Sequence, residues 1–370
     1  MKHPNQVIID LASLRHNFRQ ARAAFGDRPL LAVVKADAYG HGAVEVARAL
    51  TDEEADMFGV AHPTEGARLR AAGIDRPILL FCGAHPDDAG ELADQELTPM
   101  LFDLELARAL DAAGRARGRV LPVHLKIDTG MGRAGFRPEQ LDEVLATLAG
   151  LDHVRIDGVV SHLALADDVA NPFTARQYET FAACVERVRA AGFNPRWLHL
   201  SNSPGLFGQT FPLCNLARPG ISLYGGLPGE SFRHLDLKPV MRFVSRIAQV
   251  NRLPAGSGIS YGHRFVTERD SLVAAVPVGY SDGYPRLVTN RAEVLVRGRR
   301  IRQVGTVCMN WILLDVTDHP DVRVGDLVTL LGRDGDGLIS GDELAGWAQT
   351  IDYEVFCSIG SRNPRQYLRA

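Results

Sequence analysis

The chain has 370 residues, 46% apolar and 23% charged, and its 41 basic and 44 acidic residues leave a net charge of −3. That length suits a large core and two domains, and the lack of a basic surplus speaks against nucleic acid or an anionic membrane as partner. No apolar run approaches the ~20 residues of a membrane span. The run Val7-Ile8-Ile9 is too short for a signal-peptide core. Five widely spaced cysteines (Cys82, Cys184, Cys214, Cys308, Cys357) read as reduced thiols of a cytoplasmic protein.

Short apolar runs alternate with amphipathic stretches over the first two-thirds. Candidate strands are Leu30–Val34, Met57–Ala61, Pro77–Cys82, Leu97–Leu101, Leu121–Ile127, Ile156–His162, Trp197–Ser201 and Leu216–Ile221. Between them lie segments with helical spacing, such as Ala43–Leu50, Glu65–Ala72, Leu104–Ala113, Glu139–Leu148 and Ala175–Ala191. Eight such units predict an α/β fold, a (β/α)8 barrel of the TIM type, over residues 1–238. From Pro239 the Val-rich runs crowd together: Arg246–Leu253, Leu272–Val278, Ala292–Val296, Ile301–Val304, Trp311–Val316 and Leu327–Leu331. Residues 239–370 are therefore expected to form a mostly antiparallel β domain.

Barrels gather their chemistry at the C-terminal ends of the strands. Lys35 ends the first run, where lost hydration would favour its neutral, nucleophilic amine. Such an amine can form a Schiff base with an aldehyde. Lys126 and Arg133 follow the fifth run and His162 the sixth. Ser201-Asn202-Ser203 follows the seventh, and Arg218-Pro219-Gly220-Ile221 ends the eighth. The last two segments supply hydroxyls and a glycine N–H where barrels commonly seat a phosphate. A lysine for an aldehyde beside a phosphate seat points to pyridoxal 5'-phosphate. Singly, His162 could be structural, Arg218 a strand anchor and Arg133 a solvated loop residue.

The segment Gly332–Glu343 imitates a calcium loop, with Gly337 and Glu343 correctly spaced. Its first ligand position is Gly332, which has no side-chain oxygen, and Asp326–Leu331 reads as a strand where a helix is needed. No metal site is expected.

The run Ala32-Val33-Val34-Lys35-Ala36-Asp37-Ala38-Tyr39-Gly40-His41-Gly42 resembles the cofactor signature of alanine racemases. Lys126–Arg133, Arg218–Ile221, Ser260-Tyr261-Gly262, Gly279–Gly283, Cys308-Met309 and Tyr353-Glu354-Val355 resemble that family's other motifs in order. The resemblance implies a cytoplasmic homodimer that interconverts L- and D-alanine, with active sites shared between subunits, supplying D-alanine for cell-wall peptidoglycan. It implies that Lys35 holds the cofactor and serves as base on one face of the α-carbon, with Tyr261 of the other subunit as the opposing base. His162 and Arg218 would support that tyrosine, and Arg218 would face the pyridine nitrogen. Arg133 and the Met309 backbone would hold the substrate carboxylate. Tyr39, Ser201, Gly220, Ile221 and Tyr353 would line the phosphate, and Lys126 matches a lysine often carbamylated in the family. Two departures stand out: Asn310, where the family usually has aspartate, and the tail Ser361–Arg365. The enzymatic rivals are a decarboxylase of similar architecture and a broader amino-acid racemase. A non-catalytic cofactor carrier is the rival from another class.

Overall fold

The computed structural model describes residues 4–26 and 28–369. Seven parallel strands curl in sequence order: β2 (Leu31–Val33), β3 (Met57–Val60), β4 (Ile78–Leu80), β5 (Leu97–Leu101), β6 (Leu121–Lys126), β7 (Val154–Val160) and β8 (Trp197–His199). The first three are buried at every residue, the pattern of strands covered on both faces. Helices Ala43–Asp52, Pro63–Ala71, Leu104–Arg117, Leu141–Leu148 and Phe173–Ala190 lie between them.

The eighth stave, expected at Leu216–Ile221, is present but reduced to a bridge between Ala217 and Leu30. Leu31 N donates to Ala217 O and Val33 N to Pro219 O on one side; Arg218 N donates to Ser201 O on the other. Pro219 has no N–H to give, which keeps this stave from a full ladder. The barrel is nevertheless closed.

The second sheet orders its strands β10-β13-β16-β15-β14-β17-β9-β1-β19. These are β1 (Gln6–Asp10), β9 (Met241–Arg246), β10 (Gln249–Leu253), β13 (Ser271–Val276), β14 (Glu293–Val296), β15 (Arg299–Val304), β16 (Ile312–Asp315), β17 (Leu327–Asp334) and β19 (Arg365–Leu368). A small hairpin, β11 (Gly258–Ile259) with β12 (Phe265–Val266), stands apart, and β18 (Gly337–Ile339) pairs with β17. The expected run Arg246–Leu253 is broken, because the chain changes partners at Ile247-Ala248. Ile247 N donates to Asp326 O and Ala248 N to Ala275 O. β1 belongs to this sheet and not to the barrel: it runs antiparallel to β9 and parallel to β19. Asp10 then caps the helix Leu11–Ala24 by accepting from Ala12 N and Ser13 N. Both chain ends therefore tie the second sheet to the barrel.

The calcium-loop look-alike folds as the hairpin of β17 and β18, ahead of the helix Gly341–Ala348. Tyr353 lies in a further helix, Asp352–Arg362, that packs on the rim of the barrel. Among the described residues, no helix is long and apolar enough to cross a membrane.

Candidate active site

Lys35 leaves β2 into a turn of unusual hand. Ala36, Asp37, Ala38 and Tyr39 all have φ between 53° and 56°. Each left-handed non-glycine residue costs about 1–2 kcal/mol, so the turn must be held from outside. Asp37 does much of this: its carboxylate accepts from Ala43 N at 2.8 Å and from Arg365 on β19. Arg365 also donates to Gly40 O at 3.0 Å, and Ala36 N donates to Glu65 Oε1 at 2.7 Å. Helix Asp352–Arg362 closes the other side without slack. A Cβ on Gly360 would fall 2.0 Å from the Gly40 carbonyl oxygen, and one on Gly40 would fall 2.4 Å from that of Phe356. The second domain thus braces the turn that aims Lys35.

The turn opens onto a cavity of about 330 Å³ at the C-terminal end of the barrel. Lys35, Tyr39, Lys126, Arg133, His162, Arg218, Gly220, Ile221 and Tyr353 all face it. Ser201 does not: it lies buried behind the wall, while its neighbours Asn202 and Ser203 reach the cavity. Ser203 Oγ accepts from Gly220 N at 2.9 Å, which joins the two segments. Tyr261 and Met309 are also absent from this wall. They lie on the second domain with 73% and 55% of their surface exposed.

The cavity is electropositive. Burial, and then the charge of Arg133, lower the pKa of Lys35. Burial and the Arg218 charge push Lys126 down to about 7. Arg218 is 4% exposed and has no carboxylate partner among the described residues. Burial pushes it down to about 10, which leaves it a cation at neutral pH.

Neutral groups orient this guanidinium. It donates to Ser161 O at 2.8 Å, Leu200 O at 3.0 Å, His199 Nδ1 at 2.9 Å and His162 Nδ1 at 3.2 Å. An arginine has only donors, so both Nδ1 atoms must present lone pairs. The proton of His162 therefore sits on Nε2. His199 likewise carries its proton on Nε2 and donates it to His124 Nδ1 at 2.8 Å. Burial and the Arg218 charge hold the pKa of all three histidines well down, His124 to about 3.

Sequence reasoning passed over His124 and His199, which read only as members of the β6 and β8 runs. It also assigned no task to Asp128. That carboxylate accepts from the N–H groups of Gly130, Met131, Gly132 and Arg133 at 2.8–3.1 Å and shapes the loop that carries Arg133. The available signal was an aspartate followed within five residues by two glycines, Gly130 and Gly132, that let the loop curl back on it.

Residues 9–228 match the family described as alanine racemase, N-terminal domain, and residues 240–367 match alanine racemase, C-terminal domain. The alanine racemase of Geobacter sulfurreducens is 48% identical over 99% of this chain and 97% of its own. That of Symbiobacterium thermophilum is 43% identical over 98% of this chain and 97% of its own. The crystal structure of alanine racemase from a D-cycloserine-producing Streptomyces lavendulae superposes with a TM-score of 0.95 at 35% identity, covering all of this chain and 98% of that one. With both domains matched in order and relatives aligned end to end, the chain belongs to the alanine racemase family.

Proposed function

We propose that this racemase moves the α-proton of alanine between Lys35 and Tyr261 of the partner subunit, using pyridoxal 5'-phosphate. The observation that carries the reading is the placement of Lys35 and Arg218 on one cavity. One is an amine of lowered proton affinity, the other a buried cation without a carboxylate.

The residues fit the cofactor. Lys35 would take its aldehyde, and Arg218 would face its ring nitrogen. Tyr39, Tyr353, Gly220 and Ile221, joined by Asn202 and Ser203, would hold its phosphate, with Ser201 behind them. When bound, the group supplies an electron sink for the α-carbanion. Arg218, still cationic at neutral pH, would give the ring nitrogen a hydrogen bond but not a proton. Arg133, with the Met309 N–H of the partner subunit, would hold the substrate carboxylate.

Lys35 is poised as base on one face because burial favours its neutral form. On the other face a tyrosine, with an ordinary pKa near 10, needs help to give up its proton. His162 supplies it: its Nδ1 faces Arg218, so its Nε2–H is free to donate to a phenolate oxygen. The exposure of Tyr261, Met309 and Trp311 on one chain supports a homodimer in which each copy completes the other's site. Lys126, uncharged for much of the time near pH 7, is suited to carbamylation. The chain divides near residue 238 into a cofactor barrel and a β domain, 239–370, which also takes in β1 (Gln6–Asp10), and the enzyme supplies D-alanine for peptidoglycan in the cytoplasm.

The test is chiral chromatography of L-alanine incubated with the purified protein in D₂O. Growth of α-deuterated D-alanine is expected. Deuterium appearing in L-alanine alone would leave one working base and overturn the two-base reading.

A further inference from the structure

The N–H assigned to the substrate carboxylate belongs to Met309, whose side chain is exposed. Its backbone is nonetheless held on both sides. Tyr280 N donates to Cys308 O at 3.2 Å, and Ser281 N donates to Met309 O at 3.0 Å. The Ser281 hydroxyl donates to the same Met309 oxygen at 2.8 Å, and Asn310 Nδ2 donates to that hydroxyl at 2.7 Å. The two segments touch: a Cβ on Gly279 would fall 2.2 Å from Cys308 O and 2.3 Å from Met309 O. Peptides here are trans, so the N–H of Met309 points opposite to the Cys308 carbonyl and away from the turn that grips it.

We propose that Ser281 and Asn310 are positioning residues which aim the Met309 N–H at the substrate carboxylate. The proposal rests on the Met309 assignment above and deepens it. The Ser281 hydroxyl has one proton and two acceptors in reach, Met309 O at 2.8 Å and Asp282 Oδ2 at 3.3 Å. By donating to the hydroxyl oxygen, the Asn310 amide leaves that proton directed at Met309 O. An aspartate at 310 has no proton to give at neutral pH. Its carboxylate would compete for the serine proton, and Met309 O would keep only the Ser281 N–H of its two tethers. The amide at 310 is therefore a determinant of how firmly the carboxylate is held.

The test compares Ser281→Ala, Ser281→Thr, Asn310→Asp, Asn310→Ala and the Ser281→Ala/Asn310→Ala double variant of the cofactor-loaded enzyme, with acetate as a carboxylate-only inhibitor. KM for both alanine enantiomers and Ki for acetate should rise together by about three- to tenfold, with kcat within about twofold of the parent. Asn310→Asp should exceed Asn310→Ala, Ser281→Thr should restore the parent values, and the double variant should be no worse than Ser281→Ala. Unchanged KM and Ki, or a fall in kcat alone, would overturn the proposal. Arg133→Leu separates the two levels: if it raises the acetate Ki and the Ser281 and Asn310 variants do not, the carboxylate site stands and the positioning role falls. If the parent enzyme does not racemise alanine, the reading beneath it falls first.

Discussion

The Arg218 guanidinium donates to His199 Nδ1 at 2.9 Å, and His199 Nε2 stands 2.8 Å from His124 Nδ1. One cation thereby fixes the tautomers of two histidines that are 75 residues apart in sequence. His199→Leu would leave a guanidinium proton unsatisfied in a fully buried place, which costs about 1–3 kcal/mol. His199→Asn keeps an acceptor near the Nδ1 position and should recover part of that loss. Urea unfolding of the two variants beside the parent reads the difference.

The same histidines make folding stability fall in acid. His124 has an ordinary pKa of 6.5 and is pushed down to about 3, and His162 and His199 are lowered in the same direction. Above pH ~6.5 they are neutral in both states, and their contribution is fully present. Below it the unfolded chain takes up protons that the folded chain refuses. Each histidine then removes about 1.4 kcal/mol per pH unit until its folded pKa is reached. Asp352 acts oppositely. Burial pushes it up to about 7, so it holds a proton that the unfolded chain releases above its ordinary 3.8. His41, pushed down to about 4 by burial, joins the three histidines, and Asp342, raised by burial, joins Asp352, which leaves the histidines ahead. The urea midpoint should drop steeply from pH 6.5 to 5, and His124→Leu should flatten that slope.

The barrel strands were legible because parallel strands covered on both faces are written as runs of Val, Ile and Leu. The rim residues were legible because they follow those runs directly. What stayed hidden depends on distance in the chain. Nothing local about Gln6–Asp10 says that it pairs with Met241–Arg246 and Arg365–Leu368. Nothing in the β6 and β8 runs says that His124 meets His199. Ser201 and Ser203 are equally suited by composition, and the path of the chain after His199 turns only Ser203 to the cavity. The helix Asp352–Arg362 read only as an apolar run beside a tyrosine.

Gly360→Ala tests the brace behind Lys35. Its methyl would collide with the Gly40 carbonyl, which is backbone and has no rotamer to yield. The cost is about 1–3 kcal/mol of overpacking, delivered to the left-handed turn. Cofactor should be held more weakly, with turnover falling at low cofactor and partly recovering when it is added in excess. Gly346→Ala, where a methyl meets nothing within 4 Å, is the matched control.

Lys126 offers a chemical test. An amine pushed down to about 7 is largely unprotonated at pH 8 and can add carbon dioxide. Protein equilibrated with ¹³C-bicarbonate at pH 8 should show a carbamate carbon by NMR that is lost in Lys126→Ala and on acidification. A carbamate also places a negative charge beside Arg133. Lys126→Ala should therefore weaken alanine binding, and a small added carboxylate should offset part of the loss. A parent spectrum without the carbamate line would mean that Lys126 acts as the plain amine.

Mixing subunits tests the sharing of the site. Lys35→Ala and Tyr261→Phe homodimers should each be inactive, the first without its nucleophile and the second without its opposing base. If Tyr261 serves the partner's Lys35, a mixed dimer places both lesions in one site and leaves the other intact. Random reassembly of equal amounts makes about half of the dimers mixed, each with one working site of two, so about a quarter of parental activity should return. If each chain used its own tyrosine, every site in every mixture would carry one lesion and no activity would return. Trp311 and Leu287, 43% and 61% exposed on the single chain, provide the companion measurement. If the proposed dimer forms across this face, a charged residue at either, read by sedimentation, should shift it towards monomer, and activity should fall with the dimer fraction if Tyr261 acts only across the interface.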